Sequence, residues 1–235
     1  MRPIQPCRTF YSHEVEETIE RLKDVIVDPD LFRLFQNTWP STLDTTIAWR
    51  GWSNASAILK DGQTEPTEEE ELTFVITGDI EAMWLRDSAN QLQAYVSLLK
   101  PNSSFDSLAS VFRGAINLQA RYILESPFCN AFQAPDEAGV VRKSSMNSDQ
   151  ITPYFDYYKV FSCQWELDSV ASFLQLSVDY VTATHDYEFF QKSSNWTKAV
   201  QTILRTAESM MIDSYDEQGN WQHTPYTYCA PYGGT

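Results

Sequence analysis

Stretches of helix length alternate along this chain between apolar on one side and apolar on two, and that alternation leaves few folds open to it. "SHEVEETIERLKDVIVD" (12–28) spaces Val15, Ile19, Leu22 and Ile26 helically behind Ser12, a residue suited to capping. "DPDLFRLFQNTW" (28–39) reads as a short helix opened by Asp28-Pro29. "FDSLASVFRGAINLQARYIL" (105–124) sets Leu108, Val111, Phe112, Ala115, Leu118 and Tyr122 on one stripe, with Arg113 and Asn117 opposite, which predicts one wet face. "WELDSVASFLQLSVDYVTAT" (165–184) carries one stripe of Leu167, Val170, Ala171, Leu174, Val178 and Val181 and a second of Phe173, Leu176 and Tyr180, which predicts burial on two sides. "NWTKAVQTILRTAESMM" (195–211) is one-sided again.

Inner helices covered by outer ones are the pattern of an all-α fold, the (α/α)6 barrel or toroid. Residues 88–99 and 165–183 are the expected inner helices, and 105–124 and 195–211 the outer ones. About five or six helices can be counted, so the expected barrel is incomplete, half a toroid. Residues 40–72 look mixed and turn-rich, with "EPTEEEE" (65–71) a solvated acidic loop. Polar loops fill 127–160 and 214–235, the second rich in Tyr, Pro and Gly.

Composition narrows the partners. Lys and Arg number 17 against 32 Asp and Glu, a net charge of −15, which argues against nucleic acid or an anionic membrane surface. A neutral ligand such as a sugar is compatible with that field. The chain holds 7 Trp, 12 Tyr and 13 Phe, rings that fill cores and also line sites for flat, partly polar ligands. No run reaches the roughly 18 apolar residues of a membrane span, and "MRPIQPCRTF" has no apolar core of a signal peptide. Cys7, Cys129, Cys163 and Cys229 form no C-x-x-C pair; their even count permits two disulfides without assigning them. Sequons at Asn54, Asn102 and Asn195 exceed the one or so expected by chance and lean toward the secretory pathway.

Chemistry concentrates in "ITGDIEAMWLRDSANQLQAYVSLL" (76–99), which begins as a strand and ends as a helix with Leu92, Tyr95, Val96 and Leu99 on one face. Between lie Asp79, Glu81, Trp84, Arg86 and Asp87. Ser88-x-x-Gln91 has the form of a capping box, so the helix is expected to start at about Ser88. The plainer explanation is complete: Asp87 satisfies free amides, Arg86 pairs with a nearby acid, and Trp84 packs. Their density points further. A pyranose lays its C–H face on an indole, while vicinal hydroxyls bridge a carboxylate acceptor and a guanidinium fork. Trp84, Arg86 and Asp87 therefore read as a grip on a terminal sugar.

"TGDIEAMWLRDSANQ" resembles the signature of the metal-independent exo-α-1,6-mannosidases, glycoside hydrolase family 125. Its "W-x-RD" core is also similar to the sugar-gripping segment of glucoamylase-type enzymes, which share the (α/α)6 barrel. "CRTF" (7–10), "NAFQ" (130–133) and "WELDS" (165–169) fit the same family, in order along the chain. The resemblance implies removal of non-reducing terminal α-1,6-linked mannose with inversion, acting on a mannose-terminated oligosaccharide or glycan. Asp79, Trp84, Arg86, Asp87, Trp165 and Asp168 are the substrate-binding candidates. Inversion needs two carboxyl groups about 6.5–9.5 Å apart. In the family the acid follows the Tyr/Pro/Gly-rich loop and the base comes later, so both are expected beyond Thr235, and residues 1–235 are expected to be the N-terminal half of one barrel domain.

Within the chain, Glu166 and Asp168 open an expected inner helix and can face a cavity; Asp168 also belongs to a polar stripe with Ser172, Gln175 and Asp179. Asp136 and Glu137 are candidate rim residues. His13, His185 and His223 are far apart with no H-x-x-x-H, so no metal and no cofactor is expected. G-x-G-x-x-G, P-loop and G-x-S-x-G patterns are missing as well. Two other classes compete with an enzyme: a catalytically inactive mannose- or carbohydrate-binding helical domain, and a scaffold in which Trp84 and Arg86 are only packing.

Overall fold

Asp28 and Pro29 do what their order predicts. Asp28 Oδ1 accepts from the amides of Asp30 and Leu31 at 2.9 and 3.1 Å and opens a helix whose first residue is the proline. The structure, a computed structural model, describes residues 1–53, 56–58, 64–66, 69–145 and 149–229. The first long helix, α1 (His13–Lys23), is capped by Ser12, which accepts from Val15 at 3.4 Å. It ends at Lys23, short of the expected 28, because β-branched Val25-Ile26-Val27 and the residue before a proline both disfavour helix. Next comes α2 (Pro29–Thr38).

The region expected to be turn-rich holds short strands: β1 (Ile47–Trp52), β2 (Ser56–Ile58), β3 (Thr64–Pro66) and β4 (Glu71–Val75). β1 pairs antiparallel with β4, placing Arg50 opposite Thr73, and β2 pairs with β3. β5 (Met83–Trp84) leads into α3 (Leu85–Gln93), and α4 (Leu108–Glu125) returns. β6 (Ala131–Phe132), β7 (Gln150–Thr152) and β8 (Val160–Ser162) precede α5 (Leu167–Thr184), α6 (Tyr187–Lys192), α7 (Ser194–Ser209) and β9 (Thr227–Cys229). The chain is thus mostly helical with small sheets, a correction to a purely α reading. The "EPTEEEE" segment is partly β3 and β4, and Glu71 is buried rather than solvated; Thr67 and Glu68 lie outside the described residues.

The long helices pack on one another in pairs. α3 packs beside α5, α4 packs beside α7, and α4 also lies under α5. α4 also meets β4, the strand that pairs edge to edge with β1. This overturns the expected wet face of 105–124: fifteen of the eighteen residues of α4 are buried, Arg113 and Asn117 among them. The reason is that β4 supplies partners. Arg113 donates to both Glu71 oxygens at 2.7 and 3.1 Å, to the Asn102 carbonyl and to the Tyr180 hydroxyl, while Asn117 donates to the Glu71 carbonyl at 3.0 Å. A helix position that is polar in sequence is here polar because it is satisfied indoors.

α5 departs the other way. Val170, Phe173, Leu176 and Tyr180 are buried, but Leu167 (62 % exposed), Ala171 and Val178 (54 %) face outward. The stripe of Phe173, Leu176 and Tyr180 is covered, and the other only in part, at Val170 and Leu174. α7 is one-sided as expected, burying Ala199, Ile203 and Thr206.

The N-terminal segment is held by ions. Arg2 donates to Asp44 and Glu16, and Arg8 to Glu16, while Thr9 and Phe10 bond the backbone of Asp44 and Leu43. "CRTF" is therefore a structural clasp that delivers Phe10 to the core.

Candidate functional site

A three-stranded sheet builds the site. β6 stands between β5 and β8, pairing Trp84 with Ala131 and Ala131 with Ser162. β5 runs directly into α3 and so sets Arg86; β8 leads through Cys163-Gln164-Trp165 into α5 and so sets Glu166 and Asp168. Buried Asn130 fastens both exits. Its carbonyl accepts from the Leu85 amide at 3.1 Å and its Oδ1 accepts from the Gln164 amide at 3.1 Å. A disulfide joins Cys129, just before Asn130, to Cys163. Cys7 and Cys229 are free, so one of the two permitted disulfides is formed.

The helix starts at Leu85 rather than Ser88, which corrects the capping-box expectation. Ser88 is inside the helix and donates back to the carbonyls of Trp84 (2.7 Å) and Leu85 (3.2 Å), then accepts from Gln119 at 2.9 Å. The helix also ends at Gln93 rather than 99, with a 3-10 turn at Val96–Leu98. Tyr95 explains this: it leaves helical register to bury its ring against Trp39, its hydroxyl donating to the Trp39 carbonyl at 2.6 Å.

Arg86 is the hub. Its Nη1 donates to Glu166 at 3.0 Å and to Asp168 at 2.9 Å, and its Nε lies 3.7 Å from Asp87. Glu166 also accepts from the Ser169 hydroxyl at 2.7 Å. The bond from Asp168, with the nearby charges of Glu166 and Asp87, raises the Arg86 pKa above its ordinary value and keeps the guanidinium charged. The cluster is open: the Arg86 side chain is 34 % exposed and that of Asp168 62 %. Asp87 accepts no hydrogen bond from any described residue, although its Oδ2 is shielded, so it is not the helix cap that the plainer explanation required.

Of the other candidates, Trp84 is half-buried and meets Phe161 edge-on at 5.3 Å. Trp165 meets Phe128 at 6.0 Å, Phe128 stacks on Tyr226, and the Tyr226 hydroxyl donates to the Cys163 carbonyl. Asp79 lies on an exposed turn, tethered to α3 where Gln91 donates to the Thr77 carbonyl at 3.4 Å; no bond joins Asp79 to the Arg86 cluster among the described residues. A second polar bridge between the helices runs from Gln93 to Asp179 at 3.1 Å. Asp136 and Glu137 stand apart, paired with Arg142 and Arg121.

Reasoning from sequence passed over Asn130 and did not rank Glu166 among the binding residues. "NAFQ" held the signal for the first and "WELDS" for the second. Chemically, the cluster offers a charged guanidinium edge and open carboxylate oxygens, which suit hydroxyl pairs on a neutral ligand. Among the described residues no group of three His, Cys, Asp or Glu is arranged to hold a metal ion, and no helix is long and apolar enough to cross a membrane.

The model of the metal-independent alpha-mannosidases (GH125) matches residues 28–233, so the class is glycoside hydrolase. The chain belongs to family 125, the metal-independent α-mannosidases. It is 42% identical over 228 residues to the meiotically up-regulated gene 157 protein of Schizosaccharomyces pombe, covering 97% of this chain and 41% of that protein. It is also similar in fold to a Streptococcus pneumoniae metal-independent α-mannosidase solved in a non-productive complex with α-1,6-mannobiose. That match has a TM-score of 0.65 and 24% identity, and covers 95% of this chain and 44% of the other. The chain thus spans about two-fifths of the length of the relatives it matches.

Proposed function

We propose that residues 1–235 form the N-terminal half of an (α/α)6-barrel exo-α-1,6-mannosidase and hold one side of its terminal-mannose subsite. Arg86, Asp87 and Asp168 grip sugar hydroxyls, and Trp84 and Trp165 supply the apolar walls. The observation that carries this reading is Arg86 itself, charged, one-third exposed and fixed between α3 and α5 by Glu166 and Asp168. The general acid and base come from outside these residues. Glu166 and Asp168 each turn an oxygen onto the same guanidinium nitrogen, at 3.0 and 2.9 Å, and so are engaged in holding Arg86. That arrangement is suited to holding the guanidinium against sugar hydroxyls.

The same feature supports a second reading, a mannose-binding domain without turnover. Calorimetry with α-1,6-mannobiose and a mannose-release assay, run on this chain and on its full-length parent, separate the two. Binding with turnover only in the parent is expected. Turnover by this chain alone places the catalytic acids within it, and no binding by either removes the subsite.

A further inference from the structure

We propose that Asn102 carries an N-linked glycan, a modification independent of the sugar subsite. The sequence offers three sequons, and the structure treats them differently. Asn54 lies outside the described residues. Asn195 stands in the first turn of α7, where its Nδ2 donates to both Glu70 oxygens at 3.3 and 3.2 Å; Trp196 beside it donates to Ser177 at 3.0 Å. The nitrogen that a sugar needs is occupied there. Asn102 is exposed in the loop before α4, and its Nδ2 makes no hydrogen bond to a described residue. Its other polar atoms fix the loop: the carbonyl accepts from Arg113 at 2.8 Å, and Oδ1 accepts from the amide of Ser104, the sequon's own third residue, at 2.8 Å.

The chemistry leaves that anchor intact. With a lipid-linked oligosaccharyl diphosphate as donor, the amide nitrogen forms a bond to the anomeric carbon as the carbon–oxygen bond to the diphosphate breaks. One Nδ2 proton passes to the transferase, and the lipid diphosphate departs. The product keeps Oδ1 and one N–H, so the turn to Ser104 persists. A second observation points to the compartment in which such donors are used: the Cys129–Cys163 disulfide persists in oxidising surroundings. Position is also compatible, because Asn102 precedes α4, whereas Asn130 follows its far end and holds the amide of Leu85, next to Arg86. From Arg113, which holds the Asn102 carbonyl, to the end of α4 at Glu125 the helix rises about 18 Å at 1.5 Å per residue, so the glycan is joined away from the cluster.

The test is mass spectrometry of the full-length protein made with its natural ends in a eukaryotic host. Enzymatic release of N-glycans converts a modified Asn to Asp. Conversion at Asn102, none at Asn195, and loss of one glycan's gel shift in Asn102→Gln with an unchanged circular-dichroism spectrum are expected. An unmodified Asn102, or an undiminished shift in Asn102→Gln, overturns the proposal; the first is read on the unaltered protein and does not depend on the variant folding.

Discussion

Arg86, in the first turn of α3, donates at 3.0 Å to Glu166, the residue immediately before α5, so a single ion pair ties together the starts of two helices 80 positions apart. Part of that pair is open to solvent, where such bridges contribute only about 0–1 kcal/mol to stability. Arg86→Lys should therefore leave the melting temperature nearly unchanged. It should weaken mannoside binding by about 1.5–3 kcal/mol through loss of the guanidinium fork. Isothermal titration checks this, and an equal loss of stability and binding would point to the packing role.

The Arg113–Glu71 pair behaves differently because both side chains are about nine-tenths buried. Burial alone would lower the arginine's pKa, but the bonds from Glu71 and Tyr180 outweigh it and hold the pKa above the ordinary value. Glu71→Ala leaves a charge stranded between α4 and β4, and the expected cost is about 3–5 kcal/mol. Urea unfolding measures it, and the variant should lose stability well before it loses any sugar contact.

Gly114 lets α4 approach β4. A β-carbon there would collide with the Thr73 hydroxyl and come within 2.8 Å of the Thr73 amide nitrogen and 2.9 Å of the Leu72 carbonyl carbon. The strand backbone cannot yield as a flexible side chain would. Despite alanine's better helix propensity, Gly114→Ala should destabilise the protein by about 1–3 kcal/mol. A midpoint shift in thermal unfolding reads the result, and a neutral or stabilised variant would refute the close approach.

Burial pushes the phenol pKa values of Tyr95 and Tyr180 up to about 12, and that of Tyr122 well above its ordinary value. The folded state keeps these protons while the unfolded chain, near pH 10, releases them. The contribution of Tyr95 and Tyr180 is therefore full below about pH 10 and is lost as pH rises toward 12. Burial raises Tyr226 as well, so spectrophotometric titration should show four of the 12 tyrosines ionising late, with cooperative unfolding in the same range.

What could be read from sequence was local. Ser12 and Asp28 announced their helices because capping needs only a neighbour a few residues away. The helical character was legible, but not which helices lie inside: α4, expected outside, is buried along nearly its whole length, while α5, expected inside, exposes Leu167 and Val178. The surroundings of each helix were not legible either. Arg113 and Asn117 look solvated until β4, some forty residues earlier, is laid across them. The start of α3 was misplaced because Ser88 resembles a cap, whereas the pairing of β5 with β6 carries the helix back to Leu85. In the candidate site, Arg86, Asp168 and Trp84 carried chemistry in their identity, while Asn130 works through its position between two strand exits, which no spacing rule reveals.

The bond between Cys129 and Cys163 closes a covalent ring, and Val140 and Val141 lie exposed within it. A protease that cuts after a small aliphatic residue at that stretch would sever the backbone without freeing either piece. On a gel without reductant the nicked protein would migrate as one band, and with reductant as two. The ring converts an otherwise fatal scission into a wound that the molecule survives in one piece.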